Sequence, residues 1–203
     1  KIIYRNKPIL REGKMNFQKK CAKFLLKKND EEGFTLIEAM VVMIVGVMVL
    51  AGAAAGINKL FVANNVSTEA QNIQSIAANM KTVASSEGGY DQIADNDAAI
   101  KFKVVPTNMK ISGTSDIRNV WGGSVLIAGT ADSYTLTYPS VPPEECIQIA
   151  SKLRNAAWDS VVLTATGGTG AGTGGTVTPT STLTEIQGFC GDSGKVQFVF
   201  TGH

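Results

Sequence analysis

A chain of 203 residues that is 44% hydrophobic and 18% charged holds enough apolar material for one folded domain plus a further element, which excludes a disordered polymer. Its net charge of +2 conceals two opposite halves: residues 1–33 carry ten Lys/Arg against four Asp/Glu, a balance of +6, and the remainder carries nine against thirteen, a balance of −4. A mildly acidic body disfavours nucleic acid as its partner, and a basic head suits the cytoplasmic face of a membrane.

The head is read as processing sequence and set apart from the fold. It begins at Lys1, and Met15 is a candidate true start, leaving a leader of nineteen residues up to Gly33. From Ala39 to Ile57 runs AMVVMIVGVMVLAGAAAGI, nineteen residues without a charge, close to the ~20 that a membrane-spanning helix needs. In a secretory signal peptide a small-residue cleavage site ends the apolar run. Here the run continues into helix-compatible residues, so it is expected to be retained. Glu38 stands at its edge, where two readings stay open: a carboxylate stabilising a helix N-terminus, or a functional charge, the default for an ionisable group at the membrane.

The cysteines are Cys21 in the head and Cys146 and Cys190 in the body. Removal of the head leaves an even pair, whose default reading in an exported protein is one disulfide. Two unrelated buried thiols are the alternative for a body kept in the cytosol.

Taken together, KKNDEEG followed by FTLIEAMVVMIVGVMVL resembles the class III signal of type IV prepilins. The resemblance implies cleavage between Gly33 and Phe34 by a membrane-embedded prepilin peptidase, and methylation of the new Phe34 amine. It gives Glu38 a role as the assembly charge that neutralises a neighbouring subunit's N-terminus, since opposite charges in an apolar bundle are tolerable only as a pair. The long leader resembles the type IVb class, whereas Phe34 at the cut is more typical of type IVa.

Beyond the apolar run, Val66, Ala70, Ile73, Ile76, Ala77, Met80, Val83 and Ala84 recur three and four apart, one stripe of an amphipathic helix. Asn64, Asn65, Glu69, Gln71 and Lys81 are read as lying off it. Ser85-Ser86-Glu87-Gly88-Gly89 is a stop signal, so the helix is expected over 34–87, ~80 Å of rod. Gly46, Gly52 and Gly56 weaken it locally and suit close helix packing or a loosening of the rod.

Residues 88–118 show no strong period and read as a connection. Asp91, Asp95 and Asp97 match no EF-hand register, because loop position six is not Gly and position twelve is not Glu. They read as a solvated acidic loop. Ser124–Ala128 and Ser133–Tyr138 flank Gly129-Thr-Ala-Asp132 as a hairpin. Pro142-Pro143-Glu144-Glu145 opens a helix with Cys146, Ile149, Ala150, Leu153 and Trp158 on its apolar side and Lys152 and Arg154 on a solvated face. Val161–Ala165 and Lys195–Thr201 are strands, the latter alternating Val196, Phe198 and Phe200 with polar residues. The expected fold class is α+β: a long N-terminal helix packed on an antiparallel sheet. The expected division is a leader over 1–33, the helix over 34–87 and a globular head over 88–203.

Asn119-Val-Trp-Gly-Gly-Ser resembles the turn that leads into the sheet of many pilins, with Val120 in place of proline. YTLTYPSVPPEECIQIASKL, Trp158 and VVLTA resemble the strand, cysteine-bearing helix and strand of type IVb pilins, among them the toxin-coregulated and conjugative thin-pilus members. That resemblance implies a Cys146–Cys190 bridge bounding an exposed, variable region. It also implies a homopolymeric fibre built on an inner-membrane assembly platform, with residues 39–57 in the membrane before the subunit joins an extracellular pilus for adhesion, aggregation or mating contact.

Gly170-Ala-Gly172-Thr-Gly-Gly175 matches G-x-G-x-x-G, but Thr176-Val-Thr-Pro179 cannot start the helix a dinucleotide site requires; it reads as a flexible surface loop. His203 is the only histidine, and adjacent Glu144 and Glu145 do not face each other on a helix. No enzyme, cofactor or metal centre is expected. Two other assignments stay open: a minor pilin or type II secretion pseudopilin, though pseudopilins commonly lack such a bridge, and a single-span membrane-anchored binding or sensor domain.

Overall fold

The computed structural model describes residues 35–203. The chain divides into two compact units, one ending at Gly52 and the other running from Ala53 to His203. Up to Gly52 the described chain is helical from Leu36, the start of α1, Leu36–Glu87. In the second unit the helix buries the predicted stripe: Val66, Ile73, Ile76 and Met80 are fully buried, Ala70 nearly so, and Ala77, Val83 and Ala84 lie partly covered. The helix stops where Gly88 takes φ +86, a left-handed conformation that costs glycine little. The N–H groups of Gly88 and Gly89 both donate to the Ala84 carbonyl, at 2.9 and 3.1 Å, satisfying an end of the helix that would otherwise lack a partner.

The seven strands are β1 Lys110–Ser112, β2 Asp116–Arg118, β3 Ser124–Gly129, β4 Tyr134–Val141, β5 Ser160–Thr166, β6 Gly175–Val177 and β7 Lys195–Gly202. They form one sheet in the order β1-β2-β3-β4-β7-β5-β6, and all neighbours are antiparallel. Strand alternation sends Val125 and Ile127, Tyr134, Leu136 and Tyr138, and Val196, Phe198 and Phe200 into the same core as the helix stripe. The hairpin loop is Thr130–Ser133, one residue later than expected, because Gly129 pairs with Tyr134 and so remains in the ladder.

Three regions depart from the sequence reading. Residues 88–118 are not a bare connection: they hold a 3-10 turn at Asp91–Ile93, a short helix α2 (Asn96–Lys101), and β1 and β2. Elements of three to six residues are too short to display a period. The acidic residues are local structure, with Asp95 capping α2 by accepting from the Ala98 N–H at 2.9 Å and Asp97 pairing with Lys101 at 2.6 Å. Beside them, buried Asn96 donates to the Ser115 and Val125 carbonyls and accepts from the Ile127 N–H, each at 2.8 Å. Its amide thereby serves as a strand partner for part of the β3 edge.

Helix α3 (Pro143–Leu153) buries Cys146, Ile149, Ala150 and Leu153, but Trp158 lies beyond its end. Its ring stands 4.8 Å from Phe200 and 6.4 Å from Tyr134, which in turn meets Tyr90 at 5.1 Å. Arg154 is not a solvated side chain either: it is half-buried and donates to the Ser181 carbonyl at 2.8 Å, tying the end of α3 to the loop before α4 (Leu183–Cys190).

The Gly/Thr segment is stitched down rather than flexible. The Gly170 carbonyl accepts from the Asp192 and Ser193 N–H groups at 2.8 and 3.0 Å, Thr173 donates to Gly188 at 3.0 Å, and β6 pairs with β5. The segment passes so close to the end of α4 that a Cβ on Gly172 would collide with the Phe189 carbonyl. Its glycines therefore permit backbone-to-backbone contact.

Burial, followed by the charges of Tyr90 and Asp159, pushes the Tyr134 phenol from 10.0 up to about 12. Because the folded state holds this proton longer than the unfolded chain, the contribution to stability is complete below pH 10 and lost as pH rises through about 12. Unfolding monitored across that window should show stability falling with pH, and Tyr134→Phe should flatten the fall.

Candidate functional site

The start of α1 is capped and carries an exposed apolar surface. Thr35 accepts the Glu38 N–H on its side-chain oxygen at 3.3 Å and on its carbonyl at 3.0 Å, so the helix is capped as it begins. From Leu36, 77% exposed, to Leu50, 70% exposed, every large apolar side chain faces outward. The helix is long and apolar enough to cross a membrane, and none of its most apolar 18-residue window is buried. Glu38, in the first turn, is exposed and forms no ion pair among the described residues. Gly33 and Phe34 lie outside the described residues, as do the leader and Cys21.

At the other end of the sequence, α3 and α4 are joined by the Cys146–Cys190 disulfide, with Cα atoms 6.0 Å apart and both sulfurs buried. Helix α4 is aimed by a capping box: Thr182 accepts the Glu185 N–H at 3.2 Å, and the Glu185 carboxylate accepts the Thr182 N–H at 2.7 Å. The bridge closes a segment of 44 residues that contains Trp158, β5, the glycine segment and β6. His203, at the surface, pairs with Asp159 at 2.5 Å.

One polar centre escaped the sequence reading. Glu69 is buried, 4% exposed, on the core side of α1. Its carboxylate accepts the Tyr138 hydroxyl from β4, the Val120 N–H at 3.0 Å and the Asn72 side-chain amide at 3.2 Å. Asn72 in turn accepts from Asn108 at 2.8 Å. The Val120 N–H belongs to the Asn119–Gly123 turn, where Asn119 accepts the Gly123 N–H at 2.8 Å and donates to the Pro139 carbonyl at 2.7 Å. One carboxylate thus ties the helix to the turn that launches β3 and to the end of β4. Burial first, and then the Glu69 charge, drive the Tyr138 phenol far above its ordinary range. The signal was present in the spacing: position 69 falls three after Val66 and four before Ile73, inside the stripe.

A long helix, an antiparallel sheet and a disulfide-bounded C-terminal region define the type IV pilin fold, and the comparisons agree. Residues 63–203 match the model of the PilS N terminal family, and residues 28–54 match the prokaryotic N-terminal methylation motif. The chain belongs to the PilS N terminal family. Among solved structures, the type IV b pilin from Salmonella typhi is similar with a TM-score of 0.51 at 22% identity, over 66% of this chain and 97% of that one. TcpA, a type IV pilin from Vibrio cholerae El Tor biotype, gives 0.45 at 16% identity over 69% and 99%. No curated protein matches the chain.

Tyr138→Phe removes one of the three donors to a buried carboxylate and should cost about 1–3 kcal/mol, measured as a lower urea midpoint with an unchanged slope. Replacing Cys146 and Cys190 together by Ser releases the 44-residue closure and should cost about 4 kcal/mol by chain entropy, read from the same unfolding curves with and without reductant.

Proposed function

We propose that this chain is the major subunit of a type IVb pilus, polymerised through its N-terminal helix into an extracellular fibre. The observation that carries the reading is the helix from Leu36 to Leu50, whose apolar side chains are all exposed within a matched N-terminal methylation motif. Such a surface is stable only in lipid or against other apolar helices. Both environments enter the cycle: residues 39–57 hold the subunit in the inner membrane, and the same helix then enters the fibre.

Residues 1–33 act as the leader. Prepilin peptidase cuts between Gly33 and Phe34 and methylates Phe34, and the assembly platform delivers the subunit to the growing fibre. Glu38 supplies the assembly charge, neutralising the Phe34 amine of a neighbouring subunit. The head over 88–203, with its Cys146–Cys190 segment, faces outward and serves adhesion, aggregation or mating contact. The bridge favours this reading over a type II secretion pseudopilin.

Intact mass and N-terminal sequencing of fibre protein should give an N-methylated Phe34 as the first residue; an uncut leader would refute the reading. Glu38→Ala should be processed like the unaltered chain yet be absent from sheared fibres, and normal fibres from that variant would remove the charge-pair role.

A further inference from the structure

Both halves of the Cys146–Cys190 bridge are 0% exposed. A disulfide is cut by exchange, in which a thiolate attacks one sulfur and expels the other, so a bridge with no exposed sulfur reacts only after part of the chain has moved. The hydrogen bonds around Cys190 show which part. Cys190 ends α4, and residues 169–174 run against the last turn of that helix and the residues after it. The N–H groups of Thr173 and Gly174 donate to the Gly188 and Phe189 carbonyls at 3.0 and 3.2 Å. The Gly170 carbonyl accepts from Asp192 and Ser193, and the Ser193 hydroxyl donates to the Thr169 carbonyl at 2.8 Å. One crossing segment thus holds the chain on both sides of Cys190. At its middle, a Cβ on Gly172 would strike the carbonyl carbon of Cys190 itself, and a Cβ on Gly191 would strike the Gly172 nitrogen. The crossing lies at the surface, with Thr169, Gly170 and Thr173 exposed, and surface hydrogen bonds of this kind open locally at less cost than the whole domain.

We propose that the Gly170–Gly174 crossing is a clasp that governs thiol access to the Cys146–Cys190 bridge. When it lifts, the end of α4 is released and Cys190 comes within reach, while Cys146 stays on α3 in the core. A dithiol then attacks the Cys190 sulfur as a thiolate and Cys146 leaves as a thiolate. The second thiol of the reagent displaces Cys190, so the bridge gains two electrons and the dithiol becomes a cyclic disulfide. Formation is the reverse exchange, with a protein disulfide as oxidant, and needs the same access. Bridging therefore precedes closure of the clasp. The glycines that imitate a dinucleotide motif serve to bring two backbones close enough to close over a covalent bond.

The test uses the full chain in detergent, with Cys21 first blocked by N-ethylmaleimide. Dithiothreitol is added at urea concentrations below the unfolding transition, and newly freed thiols are trapped with a heavier maleimide and counted by mass. Ser193→Ala removes one bond of the clasp and should speed reduction about fivefold. Gly172→Ala, which forces the two backbones apart, should speed it further. Both variants should be fully bridged as made. Tyr138→Phe weakens the fold through the Glu69 cluster instead and should leave the reduction rate unchanged. Reduction of the clasp variants at the unaltered rate, equal acceleration by Tyr138→Phe, or incomplete bridging of Ser193→Ala would each overturn the clasp.

Discussion

The second unit depends on one stripe of a helix finding one face of a sheet. Val66, Ile73, Ile76 and Met80 join residues from six of the seven strands, β2 to β7, in a single core, and removal of that apolar surface from water is the main term that holds such a layered domain together. Within this apolar contact sits one carboxylate. Glu69 has no cation beside it among the described residues, so its burial is tolerable only because hydroxyl, backbone and amide donors converge on it. Apolar packing lets a helix slide or rotate by small amounts at modest cost. A desolvated carboxylate with fixed donors does not, because a shift that breaks its hydrogen bonds leaves a buried charge unpaired. Glu69 thus converts a greasy contact into a specified one.

The same helix obeys a different constraint before Gly52. There the apolar residues are present and the covering partner is not, and no part of the described chain supplies one. Hydrophobic surface of that extent is a statement about the surroundings rather than about the monomer. The stripe that enters the core and a fully exposed apolar surface thus lie on one helix, with Glu38 as an exposed carboxylate and Glu69 as a buried one.

Much of this was legible from the residues. The stripe on α1 and the alternation of β7 follow directly from periods of 3.6 and 2, the stop at Gly88 from its paired glycines, and the antiparallel sheet from the hairpin and the order of elements. What was missed shares a cause. Glu69 was assigned to the outside on its chemistry, although its spacing put it in the core. Arg154 was treated in the same way. The glycines around Gly172 suggested mobility because composition was read without neighbours, yet the lack of side chains there serves a close crossing of backbones. Trp158 was assigned to a helix that stops at Leu153, since an apolar residue little more than one turn further on looks continuous until the chain is seen to leave the axis. The short pieces between Asp91 and Arg118 lay beneath the length at which periodicity carries information.

The place of β7 in the sheet has a temporal consequence. It is the latest of the seven strands in the chain, yet it lies between β4 and β5 and supplies the pairing that joins the two parts of the sheet. While the chain is being made, β1 to β4 can form hairpins as they emerge, but β5 and β6 have no route to them until residues 195–202 arrive. Closure of the head is therefore a late, non-local event with a correspondingly slow search. During that interval Trp158, the aromatic partner of Phe200, stands open, and transiently exposed apolar surface of this kind is where partly folded chains associate.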